Sequence, residues 1–330
     1  MEILSDSEDH LKWAAAALSS GLLVAFPTET VYGLGGNAFD KTALAKIFEA
    51  KNRPHFDPLI VHIASMESLP RIADLTALSA GARQRLEVLT EKLWPGPLTL
   101  ILPKTAEIPG LATSGLETVA VRFPSHPVAQ KLIQLSTGAI AAPSANPFGF
   151  LSPTRAEHVK SQLGGKIDFI VDGGRTEIGL ESTVLDITGK IPVILRHGGT
   201  SREAIQALTG QLEVSSATSS ESPTSPGQLE SHYAPGTPLY LYEAGKLDGF
   251  PLAADEGRLY FSPGKNTGLN PETTRILSET SNLTEAAANF FDMLHDLDNL
   301  GLKIIRAEMA PAFGLGEAIN DRLRKAQGKR

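Results

Sequence analysis

Leu22-Leu23-Val24-Ala25-Phe26-Pro27-Thr28-Glu29-Thr30-Val31-Tyr32-Gly33-Leu34-Gly35-Gly36-Asn37-Ala38 is the stretch on which the fold turns. Its first five residues are an unbroken apolar run and read as a buried strand. Gly33 to Ala38 matches the glycine fingerprint of dinucleotide-binding folds, and Asp57 lies at about the distance of a ribose-binding acid. In such folds the first glycine turns directly off the strand, so that a helix N-terminus faces the pyrophosphate. Here Pro27 to Tyr32 intervenes with polar side chains of its own, which argues against a dehydrogenase. No glycine-rich turn ends in Gly-Lys-Ser or Gly-Lys-Thr, so a lysine-bearing P-loop is also absent.

Working outward, Ser7 can cap a helix through Leu11 and Leu18, and Asp40 one through Leu44 and Phe48. Leu59 to Ile63 is strand-like, and Leu78 to Leu93 has helical spacing until Trp94-Pro95-Gly96-Pro97 breaks it. Further strands are expected at 98–102, 118–123, 140–142, 169–171, 183–187 and 193–195, followed by a short helix from Ser201. The pattern predicts an α/β domain with a sheet of mixed direction over residues 1–210. Ser, Thr, Pro and Gly then crowd out aliphatics, so 211–237 reads as a linker. It ends in Ser231-His232-Tyr233-Ala234-Pro235, where a pure tether needs neither an imidazole nor a phenol. Strands at 239–242, 258–261 and 303–306 and helices at 286–297 and 316–325 then predict a smaller α/β domain over 238–330.

With 330 residues, 42% of them hydrophobic, the chain can bury a large core, and the length favours two domains. There is no cysteine, which excludes disulfides and thiolate metal sites and permits a cytoplasmic home. Neither a signal peptide nor a membrane span is expected, because the apolar stretch from Trp13 is interrupted at Ser19-Ser20-Gly21, short of the roughly 20 residues a span needs. A net charge of -7 argues against a surface devoted to nucleic acid but leaves room for a local basic cleft.

Two polar motifs follow apolar runs: Lys51-Asn52-Arg53, and Ser144-Ala145-Asn146 after Ala139 to Pro143. Together they suit a phosphate clamp, with a point charge, a planar fork and two neutral donors. Read alone, the cations would be a solvated face. Thr118 and Arg122 share one strand face while Val119 and Val121 take the other, as a strand between core and cleft requires. His62, ending an aliphatic strand, would alone be a satisfied core residue; Ser182 could bond its own backbone at a turn, and Ser152 could cap the helix through Ala156 and Val159. Arg196, before His197-Gly198-Gly199, suits either phosphate approach or an exposed strand end.

In order, Pro27-Thr28-Glu29-Thr30-Val31-Tyr32-Gly33-Leu34-Gly35, Lys51-Asn52-Arg53-Pro54, Pro58-Leu59-Ile60-Val61-His62, Trp94 to Thr99, Val119-Ala120-Val121-Arg122, Pro143-Ser144-Ala145-Asn146 and Glu181-Ser182-Thr183-Val184 resemble the threonylcarbamoyl-AMP synthase family. The resemblance continues through His232-Tyr233-Ala234-Pro235 to Gly314-Leu315-Gly316-Glu317-Ala318-Ile319-Asn320, as in the long, two-domain form. It implies a YrdC-like twisted mixed sheet with flanking helices and a cationic cleft, plus a Rossmann-like C-terminal domain. It also implies a nucleotidyltransferase, an L-threonylcarbamoyladenylate synthase. This condenses L-threonine, bicarbonate and ATP into threonylcarbamoyl-AMP and pyrophosphate, for transfer by a separate complex to tRNA adenosine beside the anticodon.

Carried over residue by residue, Lys51, Arg53, Asp57, Thr118, Ser144, Asn146, Ser152, Arg196 and Tyr233 would hold ATP, with Lys51 and Arg53 catalytic. Thr30, His62, Arg122, Ala142 and Ser182 would surround threonine. No direct protein ligand for a metal is identified, and Mg2+ would be held by the ATP phosphates. Three departures stand out. Asp57 replaces the usual asparagine, so it either points away or helps bind Mg2+; His197 replaces a proline, and Phe148-Gly149-Phe150 alters a small-residue loop. Tyr233 is expected to fold over the nucleotide. The competing expectation is an RNA-binding module using the same basic cleft, which steep salt dependence of RNA affinity without ATP consumption would favour. A carbamoyl-transferring maturation domain of similar fold is disfavoured by the lack of cysteine and of companion domains.

Overall fold

A computed structural model describes residues 1–215, 232–250, 253–264 and 269–327. Most of the expected linker, 216–231, lies outside the described residues. Eleven strands form the first sheet: β1 (Glu2–Ser5), β2 (Val24–Phe26), β3 (Gly33–Asn37), β4 (Ile60–Ile63), β5 (Leu98–Pro103), β6 (Thr118–Arg122), β7 (Ala139–Ala141), β8 (Phe169–Asp172), β9 (Thr183–Asp186), β10 (Val193–Arg196) and β11 (Glu213–Val214). They lie in the order β1-β8-β2-β3-β7-β4-β6-β5-β9-β10-β11. Directions are mixed, as expected: β4 is parallel to β6 and antiparallel to β7, and β5 is antiparallel to β6. Helices α1 (Glu8–Ser19), α2 (Lys41–Lys51), α3 (Leu69–Ile72), α4 (Ala80–Leu93), α5 (Pro127–Leu135), α6 (Ala156–Leu163) and α7 (Arg202–Thr209) flank it.

The glycine run is not a phosphate-binding turn. It forms β3 itself, antiparallel to β2, with Gly35 opposite Val24. A Cβ at Gly35 would stand 2.7 Å from the Phe26 ring, and one at Gly36 would stand 3.1 Å from Ile47. These glycines let side chains of neighbouring elements lie directly on the strand. Neither β3 nor β1 is legible as a strand in the sequence, and β11 carries the first sheet past the boundary expected at 210.

Sheet periodicity assigns the two faces. On one, Ala25, Leu34, Val61, Val121 and Ala141 pack with residues of α2, α4, α6 and α7. On the other, Val24, Phe26, Ile140 and Ala142 pack under α1 and α5. Further along that second face, Ile60, Ile101, Ala120 and Val184 form a separate small apolar patch. It becomes the floor of the site.

The second sheet has four parallel strands, β12 (Leu239–Tyr242), β13 (Glu256–Tyr260), β14 (Thr274–Ile276) and β15 (Ile304–Glu308), in the order β12-β15-β13-β14. Helices α8 (Leu283–Asp298) and α9 (Leu315–Ala326) accompany it, and the Asn282 side chain caps α8 by accepting from the Thr284 and Glu285 amides. The two sheets belong to units that share apolar packing: Val31, Leu151 and Leu180 of the first join Tyr233, Phe290 and Phe291 in one buried cluster. Arg155 donates twice to Asp292, at 2.7 and 3.0 Å, and the His158 and His295 rings stack at 3.9 Å. A Cβ at Gly179, where φ is +71°, would stand 2.5 Å from the Ala287 carbonyl oxygen, so that residue lets α8 close onto the first unit.

Candidate active site

Strand register brings the polar side chains together. His62 of β4 pairs with Arg122 of β6, Arg122 with Thr99 of β5, Thr99 with Val184 of β9, and Val184 with Arg196 of β10. Residues directly opposite each other point to one face, so this row crosses the sheet beside the Ile60–Ala120–Ile101 row. The cleft above it encloses about 540 Å3 including its mouth, and is lined by Thr28, Thr30, Val31, Gly33, Arg53, Ile60, His62, Arg122, Ala142, Pro143, Ser144, Glu181, Ser182, Arg196 and His232. Three guanidiniums therefore meet here, each no more than 7% exposed.

Each arginine is fixed by acceptors around it. Arg122 Nη1 donates to Thr30 Oγ1 at 2.8 Å, Nε donates to the Gly96 carbonyl at 3.3 Å, and Nη2 lies 2.7 Å from the buried Glu29 carboxylate. Thr30 is held in turn by Thr28, hydroxyl to hydroxyl at 2.7 Å. Arg53 reaches Asp57 Oδ2 at 2.9 Å and donates to the Asp57 and Pro58 carbonyls at 3.0 and 2.8 Å. Arg196 donates to the Ser182 carbonyl through Nε at 3.1 Å and Nη2 at 2.9 Å, and to Ser182 Oγ at 3.2 Å. The Ser182 hydroxyl also meets Thr99 Oγ1 at 2.7 Å, so it bonds a neighbouring strand and not its own turn. His62 is both satisfied and in the cleft, its Nδ1 3.2 Å from the Ile60 carbonyl oxygen. Burial, reinforced by Arg122, pushes its pKa down to about 3, leaving the imidazole neutral at pH 7.

Local structure explains why Lys51 and Arg53 part company. Asn52, at φ +50°, ends α2 in the left-handed region, which swings the two side chains in different directions. Arg53 enters the cleft; Lys51 does not line it. The Lys51 Nζ donates to the carbonyls of Ser144 and Asn146, pinning the loop after β7. Burial, with Arg53 adding to it, holds the Lys51 pKa well below the ordinary lysine value.

Asn146 likewise braces that loop, its Nδ2 donating to the Pro147 and Phe150 carbonyls at 2.9 Å each. Ser152 does not cap α6, whose N-cap residue is Arg155; its hydroxyl donates to Glu181 Oε1. Thr118 sits on the Arg122 face of β6, roughly 13 Å farther along at about 3.3 Å per residue, and is outside the cleft lining. Asp57 is fully buried against Arg53, with burial raising its carboxyl pKa and Arg53 opposing that. Its carboxylate is directed at the guanidinium.

The linker's end is docked. Ala234 N donates to the Gly149 carbonyl at 2.9 Å, and His232 N to the Lys325 carbonyl at 3.3 Å. His232 lines the cleft, while Tyr233, 2% exposed, lies behind it with its ring 5.9 Å from Phe291 and 5.2 Å from the Arg322 guanidinium. Sequence reasoning assigned no role to Thr28, Glu29, Glu181 or His232, although all four stand inside the quoted motifs. Arg322 had no signal at all, since only three-dimensional proximity brings it near.

A mixed sheet with a buried cationic cleft, its wall backed through Glu181 and His197 by Arg322 of a parallel-sheet unit, defines a two-domain α/β protein whose cleft suits a small, highly charged anion. Comparison with known proteins makes this specific. Residues 16–198 match the family described as "Telomere recombination", and residues 200–328 match "Threonylcarbamoyl-AMP synthase, C-terminal domain". The threonylcarbamoyl-AMP synthase of Pyrococcus abyssi is 43% identical over 98% of this chain and 95% of its own length, and that of Bacillus subtilis 43% over 99% and 95%. A crystal structure of the Pyrococcus abyssi protein complexed with L-threonine superposes with a TM-score of 0.88 at 39% identity, covering 99% of this chain and 97% of that one. The chain belongs to the threonylcarbamoyl-AMP synthase family of enzymes, in its two-domain form.

Proposed function

We propose that this cleft binds ATP and L-threonine side by side and forms threonylcarbamoyl-AMP from them and bicarbonate. The observation that carries the reading is the convergence of Arg53, Arg122 and Arg196 with Thr30, Ser144 and Ser182 on one sheet face. Arg122, fixed by Glu29 and Thr30, offers its fork to the amino-acid carboxylate, with His62, Ala142 and Ser182 around the side chain. Arg53, Ser144 and Arg196 face the triphosphate. Lys51, Asn146 and Ser152 support the walls, and the apolar floor of Ile60 and Ala120 leads toward Thr118, giving an elongated nucleotide a flat surface.

The chemistry asks chiefly for placement. The threonine amine attacks the bicarbonate carbon, a carbamate forms and water leaves. A carbamate oxygen then attacks the α-phosphorus and displaces pyrophosphate. Arginines already oriented by protein acceptors stabilise the charge that accumulates there without reorganising. Neutral His62 accepts or donates a hydrogen bond without adding charge. Among the described residues no cluster of three or more His, Asp or Glu side chains could hold a metal ion, and Asp57 and Glu29 are occupied by arginines. Mg2+ would arrive with the ATP phosphates and supply charge neutralisation. The guanidiniums are too buried to reach an RNA backbone, which favours the small substrates over the RNA-binding alternative.

Tyr233 and His232 wall this site from water. No helix among the described residues is long and apolar enough to cross a membrane. The product of the reaction would pass to a tRNA-modifying transferase complex in the cytoplasm. The test is incubation of the purified chain with labelled bicarbonate, L-threonine and ATP. A threonine-dependent carbamoyl-adenylate is expected, and its absence under conditions where ATP binds would refute the proposal. In the same assay Tyr233→Ala should release more free AMP per product; unchanged partitioning and turnover would remove the wall.

A further inference from the structure

Among the described residues lining the cleft Glu181 is the sole carboxylate, and an ATP triphosphate there would be repelled by it. It is 6% exposed, too buried for water to screen it. Its compensation comes from outside the first unit: Arg322 of α9 donates through Nε to Glu181 Oε2 at 3.0 Å, while Ser152 donates to Oε1. Arg322 itself is completely buried, its Nη1 donating to the His197 carbonyl and to Asp321 Oδ2. One guanidinium thus bonds the residue before Ser182 and the residue after Arg196. Those two cleft residues are the pair joined by the Arg196 hydrogen bonds to Ser182.

We propose that Arg322 is a positioning residue of the synthase: by neutralising and anchoring Glu181 it makes the cleft able to accept ATP, so that the C-terminal domain completes the nucleotide half of the site. This rests on the assignment of the cleft to ATP and threonine. A buried carboxylate left without its cation destabilises any nearby anion, and the cost disappears if the carboxylate is removed as well. Glu181→Gln combined with Arg322→Gln should therefore behave better than Arg322→Gln alone.

The experiment uses the full chain, with calorimetric ATP binding, steady-state KM for ATP and for threonine, kcat and Tm measured for wild type, Arg322→Gln, Arg322→Lys and the double variant. Arg322→Gln should raise the ATP KM and Kd roughly tenfold, with the threonine KM changed by less than about threefold, and the double variant should recover most of the ATP affinity. Arg322→Lys, which keeps the charge but not the fork, should fall between. Unchanged ATP affinity in Arg322→Gln, or a double variant as impaired as the single one, would overturn the proposal, the latter showing that Arg322 serves packing alone. If Arg322→Gln does not fold, a double variant that folds and binds ATP within about threefold of wild type supports it, and one that does not overturns it. Wild type that fails to bind ATP would instead refute the site assignment, a result distinct from any of these.

Discussion

At the residue scale, the motif read as a clamp divides its labour. Arg53 lines the cleft and Lys51 braces its wall, a difference set by a single left-handed residue, Asn52, which no spacing argument reveals. Arg53→Ala should lower turnover by roughly 10²–10³, the loss typical of one charge-stabilising donor; wild-type turnover would contradict its placement. His62 makes a second, pH-based prediction. Its folded pKa of about 3 lies below the ordinary 6.5, so between those values the unfolded chain binds a proton that the folded chain refuses. Stability therefore rises with pH across that window, by up to about 1.4 kcal/mol per pH unit for this group, and is not affected by it above. Tm should fall between pH 7 and pH 5, and fall less in His62→Gln; His158, pushed down to about 3 chiefly by burial, keeps part of the slope in the variant. An equal slope in both proteins would show that His62 is not held neutral.

At the element scale, legibility tracked periodicity. The amphipathic helices α2, α4 and α8 and the apolar strands β4 to β6 were visible because a repeat of apolar positions marks each of them. β3 was hidden because Gly33-Leu34-Gly35-Gly36-Asn37 has neither alternation nor β-branched residues, and its reason for being a strand lies in its neighbours' side chains. β14 was hidden because Thr274-Arg275-Ile276, half-buried and three residues long, is too short to show an alternation. Gly35→Ala tests this directly. Its Cβ would stand 2.7 Å from Phe26 and 3.0 Å from Ile140, and overpacking of this kind costs about 1–3 kcal/mol. A lowered Tm, partly restored by Phe26→Leu in the same chain, is expected; a neutral Gly35→Ala would mean the sheet is looser there than described.

At the scale of the whole molecule, the sequence separates two units by composition, whereas the structure joins them through Val31, Leu151, Leu180, Glu181 and Arg155. Contacts between distant segments leave no local pattern, so this junction was invisible beforehand, and with it the part played by the C-terminal unit. Because the units share buried apolar surface, calorimetry should give one cooperative transition for the full chain. Two well-separated transitions would show that the junction contributes little.

If the proposed function is right, ATP and threonine meet in the cleft over β4, β6 and β10. A crystal structure with a non-hydrolysable ATP analogue and L-threonine tests it most directly. The threonine carboxylate is expected on Arg122, with the phosphates between Arg53, Ser144 and Arg196. Both ligands bound on another surface, with this cleft left unchanged, would contradict it.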